Sequence, residues 1–281
     1  MNYNVKLQLE TCLKAVEKAC RQIDAEVYVV DNASTDGSRL YFQGKFPQVF
    51  FQWNAKNIGF GKACNSVLSL VKGEYVLFLN PDTVVPEDCF EKCIGFFHTH
   101  PDCGGLGVRM TDDKGRFLKE SKRGVPGAAS SFFKLSGLIR LFPRSETIAS
   151  YYAGHLSPLE INKVDVLAGA FMMISKKALQ AVKGFDEDFF MYGEDIDLSI
   201  RILKAGLSNY YFPETTIIHI KGESTPKKTG FYNHHFYGSM KIFVRKYYRN
   251  RPFLKILFIS AISLSHFLAE TKRILKSISI L

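Results

Sequence analysis

One stretch limits what this chain can fold into more than any other: Gly73-Glu74-Tyr75-Val76-Leu77-Phe78-Leu79-Asn80-Pro81-Asp82. Tyr75 to Leu79 is an unbroken apolar run, bracketed by Gly73 and by Asn80-Pro81. Such a run, apolar on both sides of the pleat, predicts a central strand covered on both faces. Pro81 has no N–H to give a ladder, so the strand ends there. Asp82 then lies just past the carboxyl end of a buried strand, where open α/β sheets bind ligands. A carboxylate at that place is set to hold a divalent cation and, through it, phosphates. Asn-Pro-Asp is also good turn chemistry, so taken alone the stretch has a plain structural reading too.

The rest of the chain supplies strands and helices in alternation. Val5, Leu9, Cys12, Leu13, Val16 and Cys20 make one face of a helix. Glu26 to Val30 reads as a strand that again ends in a carboxylate, Asp31, followed by the polar turn Asn32-Ala33-Ser34-Thr35-Asp36-Gly37-Ser38. Val49 to Trp53 is a third strand. Asn57-Ile58-Gly59-Phe60-Gly61 then feeds a helix whose apolar positions run on to Val71, with Gly73 closing it. Helix starts with flexible glycines receive phosphate or sugar oxygens, although Gly-x-Gly by itself is a weak motif. Pro86-Glu87 opens another helix, and Gly104 to Met110 is a further strand. This rhythm predicts an α/β fold with a doubly wound, mostly parallel sheet and helices on both faces.

Residues 111–162 break the rhythm with Gly, Ser, Pro and basic residues, among them Arg116, Lys119, Lys122, Arg123, Lys134, Arg140 and Arg144. A long insertion at the ligand face often handles a second substrate. Val164 to Ile174 is apolar and rich in small residues, Gly169 among them. Ser175 is placed to cap a helix over 176–182. Phe185-Asp186-Glu187-Asp188-Phe189-Phe190-Met191-Tyr192-Gly193-Glu194-Asp195-Ile196-Asp197 follows, an acidic and aromatic segment in a basic protein. Glu194 and Asp195 open a helix, where the dipole alone favours acids by roughly 0.3–1 kcal/mol each. That explains the pair but not the aromatics around it. His219 sits on a strand over 216–220, where a core histidine is the plainer reading and a ligand the sharper one.

These stretches resemble glycosyltransferase family 2, in its rhamnosyltransferase-like branch, over about the first four fifths of the chain. The resemblance is carried by Val29-Val30-Asp31-Asn32-Ala33-Ser34-Thr35-Asp36-Gly37-Ser38, Asn57-Ile58-Gly59-Phe60, Phe78-Leu79-Asn80-Pro81-Asp82, Gly184 to Leu198, and His219 with Gly222 and Ser224. It implies the GT-A fold and transfer of a sugar from a nucleoside diphosphate sugar. By the same resemblance, Asp31 contacts the base of the nucleotide, and Asn57 and Gly59 line its pocket. Asp82 looks like the last residue of the family's Asp-x-Asp, holding Mg2+ or Mn2+ on the diphosphate, with His219 as a further ligand. Asn80 stands where the first Asp of that motif would be, still within the nucleotide site. Asp195 looks like the general base, with Glu194 and Gly169 beside the acceptor. Family members also open with an apolar strand lying between those that end at Asp31 and Asn80. Here the residues before the first helix are too few for it, which predicts a missing first strand and a break in the sheet.

The chemistry agrees with these roles. Breaking a sugar–diphosphate bond calls for neutralisation of the leaving charge, and an attacking hydroxyl calls for a base. The excess of 37 basic over 27 acidic residues, net +10, points to an anionic partner. No zinc-finger, helix-turn-helix or RNA-binding signature accompanies it, so nucleic acid is not expected. The six cysteines form no Cys-x-x-Cys, which with the absence of a leader predicts a reduced, cytosolic protein.

Residues 1–230 are expected to form the transferase domain and 231–281 a helical extension. Lys241, Arg245, Lys246, Arg249, Arg251 and Lys255 precede an uncharged run from Ile256 to Ala269. Counted that way, the run falls short of the roughly 20 residues that span a bilayer. The preferred expectation is an interfacial helix on the anionic inner face of the cell membrane, against one that packs on the domain or makes a dimer. The whole reads as an inverting hexosyltransferase of cell-surface polysaccharide synthesis, with a saccharide or lipid-linked acceptor and dTDP-rhamnose as the donor the branch suggests. The competing readings are a sugar nucleotidyltransferase and a non-enzymatic basic module that binds membrane or nucleic acid.

Overall fold

A computed structural model of the chain describes residues 1–125, 150–220 and 229–278. Lys134, Arg140, Arg144, Gly222 and Ser224 lie outside the described residues. Helix α1 (Lys6–Ala19) turns Leu9, Cys12, Leu13, Val16 and Ala19 inward, the face its spacing predicts. Strand β1 (Val27–Asp31), helix α2 (Ser38–Phe42) and strand β2 (Val49–Trp53) follow. β1 and β2 pair in parallel, with Asp31 level with Trp53. Leu9 and Leu13 of α1 pack with Val29, Phe42 and Phe46 on one side of this pair.

Helix α3 (Phe60–Asn65) is shorter than its apolar spacing predicts. The chain tightens into a 3-10 turn at Leu68–Leu70 before strand β3 (Tyr75–Leu79). After the short strand β4 (Thr83–Val84), helix α4 (Cys89–Thr99) buries Cys89, Phe90, Cys93, Phe96 and Phe97. Strand β5 (Cys103–Thr111), the short β6 (Asn162–Lys163) and β7 (Phe171–Ser175) complete the middle of the fold. Ser175 caps helix α5 (Lys176–Val182) by accepting the N–H of Ala178. Helix α6 (Glu194–Lys204), strand β8 (Ser208–His219) and helices α7 (Gly230–Tyr247) and α8 (Pro252–Ile278) end the described chain.

The main sheet has the order β3-β7-β5-β8-β4, with β6 pairing to β8. It is mixed, not mostly parallel. β3 and β5 are joined through α4 as a crossover of the kind the alternation predicts. However, β7 inserts between them and runs antiparallel to both. β5 and β8 are parallel, while β4 and β6 run antiparallel to β8. β3 is therefore the end strand of this sheet, not its centre, and of its residues only Phe78 is fully buried. β1 and β2 stand as a separate pair, so the expected break between β1 and β3 is present. On the β1 side, Asn2 makes a single parallel bridge to Asp31, giving its N–H to Val30 O (2.8 Å) and accepting from Asn32 N (2.9 Å).

Two apolar layers sandwich the main sheet. One joins α1 and α4 to β5 and β8 through Cys12, Cys93, Phe96, Val108 and Phe212. The other joins α5 and α6 through Ala178, Leu198, Ile202 and Tyr211. All six cysteines are free thiols inside or beside these layers. The ends of β1, β3 and β8, the turn before β7 and the start of α6 are where the sequence placed chemistry.

Candidate active site

The carboxyl end of β1 is a compact polar knot. Asp31 is buried, and its carboxylate accepts from Asn2 Nδ2 (2.7 Å) and Ser34 N (2.8 Å). A carboxylate has about four acceptor positions, so two remain. Asn32 is fully buried and donates to Asn57 Oδ1 (3.1 Å) and Gly59 O (3.0 Å), which fixes the loop before α3 beneath β1. Asn57 Oδ1 in turn accepts the N–H of Gly59 (3.0 Å). Gly59 has φ +90°, and a Cβ there would lie 2.5 Å from Phe190 O. That close approach lets Phe60 N–H reach the same carbonyl at 2.8 Å. The structure thus brings Asp31, Asn57 and Gly59 together and joins them to the acidic aromatic loop.

At the other edge, Asp82 and His219 meet. β4 and β8 pair with Thr83 opposite His219, and Ile220 N–H donates to Asp82 O (2.9 Å). His219 Nε2 lies 3.4 Å from Asp82 Oδ1. Both side chains are largely buried, yet Asp82 Oδ1 and His219 Nδ1 have no hydrogen-bond partner. Buried polar atoms left unpaired are costly unless something satisfies them. An imidazole nitrogen and a carboxylate oxygen side by side are a donor set that suits a divalent ion. Among the described residues no third His, Cys, Asp or Glu joins them. The remaining positions of an octahedral shell would fall to phosphate oxygens and water, as is usual for Mg2+.

Asn80 links this edge to the acids. Its N–H donates to Ala170 O (3.0 Å), and next to Ala170 the N–H of Gly169 donates to Asp195 Oδ2 (3.2 Å). Gly169 is needed for that approach, since a Cβ there would sit 3.3 Å from Asp195 Cβ. Arg123 also donates to Asp195 Oδ2, and its guanidinium reaches Leu167 O at 2.5 Å. Asp195 Oδ1 accepts the N–H of Ile196 (2.8 Å). So Oδ2 is held by two donors from outside the helix, while Oδ1 keeps an open lone pair. Arg123 appears in the sequence only as one basic residue of a loop. Nothing in its local context marks it, because the carboxylate it meets is remote in the chain.

Glu194 has a different environment. Its Oε2 is shielded from water and has no hydrogen-bond partner. Burial first, and the neighbouring Asp195 charge second, push its carboxyl from 4.5 up to about 8. A backbone N–H and Arg123 oppose that rise without cancelling it. At neutral pH Glu194 is a neutral acid. Asp197, the third acid of the segment, is fully buried against Arg201, Lys246 and Tyr247.

The comparisons with known proteins agree with this layout. The family model for glycosyl transferase family 2 matches residues 1–182. The chain belongs to glycosyltransferase family 2. A second model, the N-terminal domain of galactosyltransferase, matches residues 160–236 and so overlaps the acid-bearing segment. This family 2 chain is 27% identical over 236 residues to the N-acetylglucosaminyl-diphospho-decaprenol L-rhamnosyltransferase of Mycobacterium tuberculosis, covering 80% of this chain and 76% of that protein. It is 29% identical over 168 residues to rhamnosyltransferase WbbL of Escherichia coli K12, covering 57% of this chain and 60% of that one. Its fold matches the mannosyltransferase PcManGT of Pyrobaculum calidifontis, a structure in complex with GDP-Man and Mn2+. There the TM-score is 0.56 at 16% identity, covering 97% of this chain and 70% of that one. The fold is GT-A, and the chain is a glycosyltransferase.

Proposed function

We propose that this glycosyltransferase is metal-dependent and inverting. It moves a sugar from a nucleoside diphosphate sugar, dTDP-rhamnose by the names of its relatives, to a saccharide or lipid-linked acceptor of cell-surface polysaccharide. The observation that carries the reading is the division of Asp195: Oδ2 clamped by Arg123 and Gly169 N–H, Oδ1 open. An acceptor hydroxyl at Oδ1 gives up its proton as its oxygen bonds to the anomeric carbon. The bond from that carbon to the diphosphate oxygen breaks, and its electron pair leaves with the diphosphate. One displacement from the face opposite the leaving group inverts the anomeric configuration. Glu194, neutral, is able to donate a hydrogen bond to a sugar oxygen beside Asp195. Asp31, Asn57, Gly59 and Asn80 line the nucleotide side. Asp82 and His219 would hold Mg2+ or Mn2+, whose charge offsets that developing on the diphosphate. Family membership leaves the sugar nucleotidyltransferase and the nucleic-acid module without support.

The site of action follows from α8. The helix is 27 residues long, about 40 Å, and Pro252–Leu275 is apolar enough and long enough to cross a membrane. Counting only the uncharged run from Ile256 to Ala269 understates it. Yet α8 lies back along α7: Tyr248 meets Phe258, Tyr237 stacks on His266, and Asn233 donates to Glu270 at 2.7 Å. Its other face shows Phe253, Ile256, Leu257, Leu264, Phe267 and Leu268 to solvent. An α8 tied to α7 by polar contacts and apolar outside suits a helix resting in the interface of the inner membrane leaflet, anchored by Lys241, Arg245, Arg249 and Arg251.

The test is thermal shift of the purified protein with a panel of nucleotide sugars, with and without Mn2+, followed by mass spectrometry of the products. The expected result is a metal-dependent rise in melting temperature with one donor and a glycosylated acceptor. Asp82→Ala should remove the metal-dependent part of that rise. Full turnover in Asp82→Ala or in excess EDTA, or free pyrophosphate as product, overturns the reading.

A further inference from the structure

Asp197 stands two residues beyond Asp195 on α6, and its carboxylate is wholly buried. Arg201 Nε donates to Oδ2 at 2.6 Å, and Lys246 Nζ and Tyr247 OH each reach Oδ1 at 2.6 Å. Arg201 belongs to the same helix. Lys246 and Tyr247 come from the last turn of α7, beyond the residues that either family model matches. Lys246 also pairs with Asp186, at the head of the acidic loop. Arg201 continues the network to Val182 O (2.6 Å) and Gly184 O (2.8 Å). Two carboxylates and two cations thus balance in one cluster.

Between its ends the same loop is held by the same helix. Ser239 Oγ donates to Met191 O (2.7 Å), Phe190 stacks on His235 at 4.1 Å, and Tyr192 meets Tyr232 edge-on at 5.4 Å. The loop's other side takes the N–H of Phe60. α7 is therefore the backing against which the acid-bearing loop is set.

We infer that Lys246 and Tyr247 are positioning residues for sugar transfer, acting through Asp197 on the helix that carries Glu194 and Asp195. The inference rests on Asp195 being the base. A buried carboxylate that loses one of its donors keeps an uncompensated charge, and the structure relaxes to hydrate it. Here the structure that relaxes is the first turn of α6. A base misplaced by about 1 Å loses on the order of 10²-fold in rate.

The experiment compares Lys246→Met, Lys246→Arg and Tyr247→Phe in the full chain, with Asp195→Asn alongside. Turnover is counted per nucleotide-binding site, so that unfolded protein does not enter. Lys246→Met should lose about 10- to 100-fold in kcat with donor Kd within a factor of about three. Lys246→Arg, which keeps a cation between Asp186 and Asp197, should restore most of it. Tyr247→Phe removes only a hydroxyl and should lose less, with its melting temperature close to the parent's. A purely structural role would lower melting temperature and the number of binding sites but leave kcat per site unchanged in all three. That result, with Asp195→Asn inactive, overturns the inference and leaves the reading of Asp195 standing. If Asp195→Asn keeps full turnover, the reading of the base itself falls.

Discussion

Replacing Gly59 by alanine should open the joint between the nucleotide-side loop and the acidic loop. Gly59 has φ +90° and ψ 168°, a conformation almost confined to glycine. Its Cβ would lie 2.5 Å from Phe190 O and 3.1 Å from Phe190 Cα, and both are backbone atoms that cannot swing aside. Holding a non-glycine residue in such a region costs about 1–3 kcal/mol. Relieving the clash by moving the loop gives up the Phe60 N–H to Phe190 O bond, worth about 0.5–1.5 kcal/mol net. The sum is about 2–4 kcal/mol. For a domain of this size each kcal/mol lowers Tm by about 2–4 °C, so the fall is roughly 5–15 °C. Gly44→Ala is the control on the same chain. Its φ is +73° but a Cβ there meets nothing within 4 Å, so only the conformational cost of about 1–2 kcal/mol applies. Thermal melts of both variants, with nucleotide titrations, measure the difference. Gly59→Ala should also weaken nucleotide binding, because Gly59 O is where Asn32 anchors the loop. If the two variants melt within about 2 °C of each other, the close packing of Gly59 on Phe190 is refuted.

Asp195→Asn, nearly isosteric but unable to take a proton, should cut turnover by at least about 10²-fold while donor binding persists; unchanged turnover moves the base elsewhere. Glu194 makes a pH prediction whose sign is set by its raised pKa. The folded state keeps a proton between 4.5 and about 8 that the unfolded chain has lost, so this stability is full below pH 4.5 and fades as pH rises through about 8. Glu194→Gln is neutral at every pH, so urea melts from about pH 6 to about pH 9 should show the parent losing stability relative to it; parallel curves would sink the assignment. In lysate fractionation the protein should sediment with membranes and come off in high salt or alkaline carbonate. Resistance to both washes would mean that α8 spans the bilayer instead.

What was legible in the sequence is what local chemistry decides. β2 and β3 have the limits their apolar runs predict, Ser175 caps α5, and α6 starts at Glu194. β8 was read only from Thr216 because Pro213 and Glu214 interrupt it. The structure places them where the pairing to β5 shifts register between Val108 opposite Phe212 and Arg109 opposite Thr216, a break of the kind that tolerates proline. The insertion of β7 between β3 and β5 is a pairing over about a hundred residues, and no window along the chain contains it. The site divides the same way. Asp82 and His219, Asn57 and Gly59, and Gly169 and Asp195 come together as the motifs imply. Arg123 and Lys246 were invisible in their roles, since a cation's meaning depends on which buried carboxylate it faces.

Glu194 and Asp195 show how little a helix-end position fixes by itself. Both occupy the first turn of α6, where the dipole favours negative charge by well under the cost of burying it unpaired. Asp195 receives Arg123, Gly169 N–H and Ile196 N–H, so its charge is compensated. Glu194 Oε2 receives nothing, and the charge beside it opposes a second one. The outcome runs against the dipole: Glu194 rises to about 8. Adjacent acids in one motif are thus divided by their surroundings into one charged and one neutral. A transfer site needs both, since a base must be unprotonated while a donor to a sugar oxygen must keep its hydrogen. The division depends on Arg123 facing Asp195 and not Glu194. Moving that cation by one residue would exchange the two roles without changing the motif.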